Sequence, residues 1–381
     1  MDNHKNKNIS RLLLSIFIVS ISISFFQVTY KNYIVEDFLV TAFQFGTIDA
    51  MKEIPGLLAI FFILITIRFK ERNVLIFSIL LIALGLLLYS LASGFWGLMV
   101  YTFIFSTGTH LFFIYRDYLI TDLTTEDNRS TIFGYVASLS AGAGLLGMFF
   151  IWILSQKFET NIILFIALPI ALVSTFFVKK LNMNKGMSKK HNNLYLRKTY
   201  FPYYLLITLS AAREMIFITF ATLLLIVKFE TPLSTMVLLY SLHGVIAVLT
   251  RPYIGKVIKK LGISKALAVN YIIVTFIFLG YAYIEHIWLI YILFVLDDVF
   301  VGFDDIGIST YVGKLVPRED LSTTLAVGST LSHIIAVTIP IVGSLIWFIL
   351  GSTIPFLFGC IVTLFAALVS SRINRQKMKI Y

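Results

Sequence analysis

The sequence predicts an all-α integral membrane fold: twelve transmembrane helices in two six-helix halves of parallel orientation, with both termini cytoplasmic. Three observations predict it. The 381-residue chain is 58% hydrophobic and only 13% charged, about half the charged share of a typical soluble domain. Its apolar residues gather in runs of membrane-crossing length, ~20 residues for a bilayer core of about 30 Å. Lys and Arg crowd into every second gap between those runs. Lipid offers the backbone no hydrogen bonds, so a helix is the spanning form.

Residues 1–11 are polar and basic, and the apolar run behind them lacks a small-residue cleavage site, so it reads as a retained first span. The first half (1–180) is expected to hold spans at 12–30, 46–67, 74–92, 96–115, 131–154 and 162–178. A basic linker (181–200) follows. The second half (201–381) is expected to hold 201–227, 234–254, 265–284, 287–311, 323–349 and 354–371. With both termini inside, 26 of the 31 Lys and Arg lie on the inner side, Arg251 and Lys265 being counted there at the inner ends of their runs. Lys31, Lys157 and Lys228 lie outside, and Lys52 and Arg213 fall within spans. That bias sets the orientation in a cytoplasmic (inner) membrane. The net charge of +11 is then a topological signal that touches anionic lipid and calls for no nucleic acid. Cys360 is the single cysteine, which excludes a disulfide framework or a thiolate metal cluster.

The halves repeat. Residues 123–154 match 315–346 at an offset of 192, each a charged turn, a Ser/Thr pair and a span rich in small residues. The basic turn 68–72 corresponds to 256–260. Parallel repeats of this kind imply a pseudo-twofold along the membrane normal, with a cavity between halves.

Charges inside spans cost a few kcal/mol each on insertion scales, so each asks for a role. The tenth run carries Asp297, Asp298, Asp304 and Asp305. A seven-residue step is nearly two helical turns, so 297 and 304 share a face, as do 298 and 305. Four ionised carboxylates would repel one another, so protonation or pairing across helices is expected. Asp297 and Asp298 are the deepest by count. Arg213 and Glu214 sit mid-way along the seventh run, and Lys52 and Glu53 in the second, near Asp49 and Pro55. Neighbours on a helix point about 100° apart, so cross-helix partners are expected: Arg213 with the acidic tenth run, Glu214 with Lys52. His110, His243 and His333 lie within runs and suit either a proton relay or a local hydrogen bond. Tyr311 lies beside polar residues. Arg116-Asp117 reads as an interfacial anchor, and the small residues around Gly142, Gly144 and Gly147 as a close helix contact.

The whole chain resembles the major facilitator superfamily. The six-plus-six count, the basic central segment and the basic turns carry the resemblance. The turn from Gly255 to Gly262 is similar to the family's Gly-x-x-x-Asp-Arg-x-Gly loop, with Lys259 in place of its Asp. The first-half copy, 65–73, lacks both the Gly and the Asp. The resemblance implies Arg68, Arg72, Lys256, Lys259 and Lys260 as gating-loop residues. The Gly-rich stretch 140–147 is similar to the fifth span of the superfamily's drug/proton antiporters, without their Gly-Pro core. Residues 311–347, with His333, Pro340 and Gly343, look like members of unassigned substrate.

The implied activity is secondary transport by alternating access. The partners would be a small-molecule substrate, a proton or other cation, and the bilayer. One chain would be functional as a monomer. The acidic tenth run tilts the expectation towards proton-coupled efflux of a cationic or amphiphilic compound. Uptake or efflux of a divalent metal or a polar nutrient is the alternative, and a membrane sensor or an intramembrane enzyme a more distant one. No phosphate-cradling Gly-Lys-Ser/Thr loop and no catalytic constellation is found, so neither an enzyme nor a cofactor is expected.

Overall fold

The computed structural model describes residues 3–66, 68–181 and 197–373. Most of the expected 181–200 linker therefore lies outside the described residues. The described chain is helical, running α1 (Asn3–Glu36), α2 (Ala42–Leu57), α3 (Ala59–Thr66), α4 (Glu71–Ser90), α5 (Phe95–Leu123), α6 (Glu126–Leu154) and α7 (Thr160–Lys179). It continues through α8 (Phe201–Met215), α9 (Leu233–Leu261), α10 (Ile263–Tyr283), α11 (Ile287–Leu315), α12 (Arg318–Leu350) and α13 (Thr353–Arg372).

Ten helices among the described residues are long and apolar enough to cross a membrane. Two expected spans are not among them. The run 46–67 is divided at Leu58 into α2 and α3. Pro55, inside α2, has no N–H to give the carbonyl one turn back, which weakens the helix there. The other is α11, whose four Asp interrupt its apolar length.

Helix ends follow local chemistry. Thr125 and Asn128 form a reciprocal cap at the start of α6, with the Thr125 N–H donating to Asn128 Oδ1 at 2.8 Å. Gly262 takes φ +82 between α9 and α10, a conformation that favours glycine. Beyond α8 the chain widens into two π-type segments, Ile216–Ala221 and Leu224–Lys228. Such wide turns are rare and frequent at functional sites.

Two corrections to the expected turns follow. α9 runs on to Leu261, so Lys256, Lys259 and Lys260 stand on its last turns and Gly262 alone makes the bend. In the first half, Arg68 is an exposed turn residue, whereas Arg72 is already helical on α4. Basic residues at a helix C-terminus favour its dipole, which lets α9 extend through them.

The chain forms two compact units. The first holds α1, the end of α2, α3–α7 and Pro232–Leu238; the second holds Thr41–Ala50, α8, the rest of α9 and α10–α13. The segment Thr41–Ala50 thus clusters with the second-half helices, which the even division at residue 180 does not anticipate. Within the first unit, α1 packs against α5, α6 and α7, and α4 against α5 and α7. Within the second, α8 packs against α11, α12 and α13, and α10 against α11 and α13. Each of these five pairings in one unit has its counterpart in the other.

Candidate functional site

The second unit encloses the buried charges that make the candidate site. Arg213, near the end of α8, and Asp297, mid-way along α11, are both completely buried, and Arg213 Nη2 lies 2.9 Å from Asp297 Oδ2. The same nitrogen lies 3.4 Å from the Asp297 carbonyl oxygen. Arg213 Nε and Nη1 find no hydrogen-bond acceptor among the described residues. Buried donors are nearly always satisfied, so a half-satisfied guanidinium at the centre of a helical unit needs an explanation.

Two turns along α11, Asp304 is 3% exposed. Asn270 of α10 donates through Nδ2 to Asp304 Oδ1 at 2.9 Å and reaches the Phe300 carbonyl at 3.2 Å. Asp297 therefore faces α8 and Asp304 faces α10. Asp305 is different: its side chain is 59% exposed and lies 3.9 Å from Arg251 of α9. Asp298 lies on α11, with its side chain outside the described residues. Tyr311 belongs to the hydrophobic core, among Tyr200, Tyr203, Tyr204 and Tyr271, and its buried hydroxyl has no partner among the described residues.

Three sets of contacts around this core escape a reading of the sequence, although Asp49 itself stands out there. Asp49, buried on α2, accepts a 2.6 Å hydrogen bond from Thr219 Oγ1 in the first π-type segment. Tyr200 donates to Asp320 at 2.6 Å, and Arg197 pairs with the same carboxylate at 3.0 Å. Arg251 carries no sequence mark of its role beside Asp305. The two acidic doublets of α11 are the signal that the sequence offers; Thr219 lies 170 residues from Asp49 and Asp320 lies 120 from Tyr200.

In the first unit the in-span charges include short-range pairs. Lys52 Nζ lies 3.5 Å from Glu53 Oε1 and 3.4 Å from the Tyr30 hydroxyl. Neighbouring residues thus do pair here, contrary to the expectation from helical geometry, because a long Lys stem can curl back. Arg116 and Asp117 pair likewise at 2.7 Å. Ser106 Oγ donates to the Lys52 carbonyl. His110 Nδ1 lies 2.9 Å from the Ser106 carbonyl, a local hydrogen bond. Glu214 and His333 are half-buried in the second unit. The small-residue face of α6 is only partly a contact: a Cβ at Gly147 would collide with Ser24 of α1, whereas none at Gly142 or Gly144 would meet an atom within 4 Å.

A family profile described as "Major Facilitator Superfamily" matches residues 12–303. The fold is similar to the crystal structure of the nucleoside transporter NupG, with a TM-score of 0.77 at 13% identity over 99% of this chain and 100% of that one. It is also similar to a bacterial homologue of the human lysosomal transporter Spinster, inward-facing and occupied. There the TM-score is 0.77 at 12% identity over 100% of this chain and 98% of the other. No curated protein sequence matches the chain.

Proposed function

The chain belongs to the major facilitator superfamily, and on that premise we propose that it is a proton-coupled secondary transporter whose coupling element is the buried polar core of the second unit. Family and fold make it a multi-pass membrane transporter rather than an enzyme. Beyond that, the proposed arrangement is two six-helix halves, 1–180 and 201–381, with both termini cytoplasmic in the inner membrane and one chain sufficient for a pathway. The halves would alternate in access to a small solute. The acidic α11 suits a proton as coupling ion and a cationic or amphiphilic compound moved outward.

The observation that carries the proposal is the Arg213–Asp297 pair with two guanidinium nitrogens left over. A buried ion pair adds little net stability, because desolvation offsets the Coulomb attraction. A structural role alone would be served as well by apolar packing. A guanidinium with two nitrogens left over is instead poised to exchange partners. Protonating Asp297 would release the cation, and the ionised carboxylate would recapture it, with the buried Asp304 two turns along α11 as a second carboxylate of the same core. Thr219, which donates to Asp49, and the π-type turns follow Arg213 along the same stretch of chain, so a shift at Arg213 reaches the wide, deformable end of that span.

The test is a thermal-shift panel on the purified chain across a pH range, with amphiphilic cations, nucleosides, sugars, amino acids and divalent metals. Hits are then tested for proton flux in pyranine-loaded liposomes. The expected result is a solute whose flux moves protons in the wild type and not in Asp297→Asn or Asp304→Asn, with Asp305→Asn retaining coupling. Asp298→Asn is run beside them. Solute flux indifferent to a pH gradient in the wild type would contradict the coupling.

A further inference from the structure

At one end of the first unit a cavity of about 400 Å³ is lined by Lys7 and Arg11 of α1, Arg72 of α4, and Lys179, Lys180 and Leu181 at the end of α7. We propose that this cavity binds the phosphate headgroup of an anionic phospholipid. Five of the named side chains are cationic, and no carboxylate lines the cavity among the described residues. Topology alone asks only that basic residues lie on this side of the membrane; it does not ask that three helices converge them on one concavity.

The two arginines are held in place. Arg11 Nη1 donates to the Lys180 carbonyl at 2.5 Å, and Arg72 Nη1 lies 3.5 Å from the Leu181 carbonyl. These carbonyls close the C-terminal end of α7, where the helix dipole favours cations. A guanidinium has five N–H donors in a planar fork, so a single carbonyl contact leaves most of them for a ligand, and the fork matches phosphate oxygens. The cations repel one another until an anion joins them.

The neighbouring surface favours a lipid over a free phosphate. Lys180 Nζ stands 3.7 Å from the centroid of the Phe176 ring. Phe176, Val173 and Leu172 are exposed along α7, and Phe77 and Leu80 along the adjoining α4. Val173 and Phe176 precede Lys180 by seven and four residues on α7, an apolar flank for acyl chains beside the basic cavity. Basic pockets between transmembrane helices recognise lipid headgroups in this way.

The experiment uses the delipidated full chain in mild detergent. Thermal unfolding is followed while titrating dioctanoyl phosphatidylglycerol, dioctanoyl phosphatidylcholine or inorganic phosphate. Phosphatidylglycerol is expected to stabilise the wild type by several degrees and phosphatidylcholine not to. The apparent affinity should weaken at least tenfold in Arg11→Gln/Arg72→Gln and also in Lys179→Gln/Lys180→Gln, which guards against one variant failing to fold. Lys259→Gln/Lys260→Gln, on the second unit, should retain the wild-type affinity. Equal phosphatidylglycerol binding by all variants, or equal loss in the Lys259/Lys260 control, would overturn the site. Inorganic phosphate reproducing the full shift would overturn the lipid as its occupant.

Discussion

The two units pair their helices alike but fill the pairings with different chemistry. α5 and α11 both begin and end 192 residues apart. At that offset Phe105 stands where the second unit has Asp297, and Phe112 where it has Asp304. In the first unit, Phe105 stacks on Phe26 at 3.9 Å between ring centroids, and Phe26 stacks on Tyr30 at 4.9 Å and meets Tyr89 edge-on. In the second unit the corresponding α11 positions hold an ion pair and a hydrogen-bonded carboxylate. A repeat that needed only stability could use aromatic packing twice, as aromatic pairs add about 0.5–1.5 kcal/mol beyond burial. The asymmetry teaches that the second unit keeps a buried ion pair and a buried carboxylate where the first packs aromatic rings.

Making the first unit resemble the second should have the largest effect. Phe105→Asp removes a buried ring, worth about 3–5 kcal/mol by itself. It also leaves a carboxylate among aromatic rings. The expected outcome in thermal unfolding is loss of the folded protein; a wild-type melting temperature would break the comparison. Next is Arg213→Met, expected to cost about 3–5 kcal/mol because it leaves the Asp297 charge buried and uncompensated. The double variant Arg213→Met/Asp297→Leu should recover most of that stability while losing proton coupling. A double variant as unstable as the single one would show that the pair holds the unit together.

Smaller effects sharpen the picture. Asn270→Leu removes the donor to Asp304 and should cost about 1–3 kcal/mol. Its melting temperature should fall less at low pH, where a protonated Asp304 needs the donor less. The smallest change belongs to the rim of the first unit. Burial, reinforced by the charge of Glu159, pushes the Asp37 carboxyl above its ordinary range. A raised carboxyl pKa means that its share of stability is full below the unfolded pKa and is lost as pH rises through the folded one. Asp37→Asn should flatten that slope and hardly change unfolding otherwise; an unchanged slope would assign it to another group.

Much of this fold was legible in the sequence, because run length and basic gaps are local signals. The runs at 74–92 and 162–178 reappear as α4 and α7 within a few residues. Helix ends beyond the lipid-length core were not legible: α5 runs to Leu123 and α9 to Leu261 because polar helical residues carry no hydropathy signal. The acidic α11 stood out as a candidate, and Arg213 as its counter-ion. Which carboxylate Arg213 takes was not readable, since the partners are 84 residues apart and packing of α8 on α11 decides it. The same holds for Asp49 with Thr219 and for Arg251 with Asp305. Lys52 and Glu53 show the reverse, a local pairing that ideal helix geometry argues against.

The central claim is that the carboxylates buried in the second unit exchange a proton. The direct measurement is a pH titration of the protonated-carboxyl stretch by infrared spectroscopy on the chain reconstituted in liposomes. The account predicts a titrating band that is lost or altered in Asp304→Asn and in Asp297→Asn and retained in Asp305→Asn. One and the same band in the wild type and all three variants would contradict it.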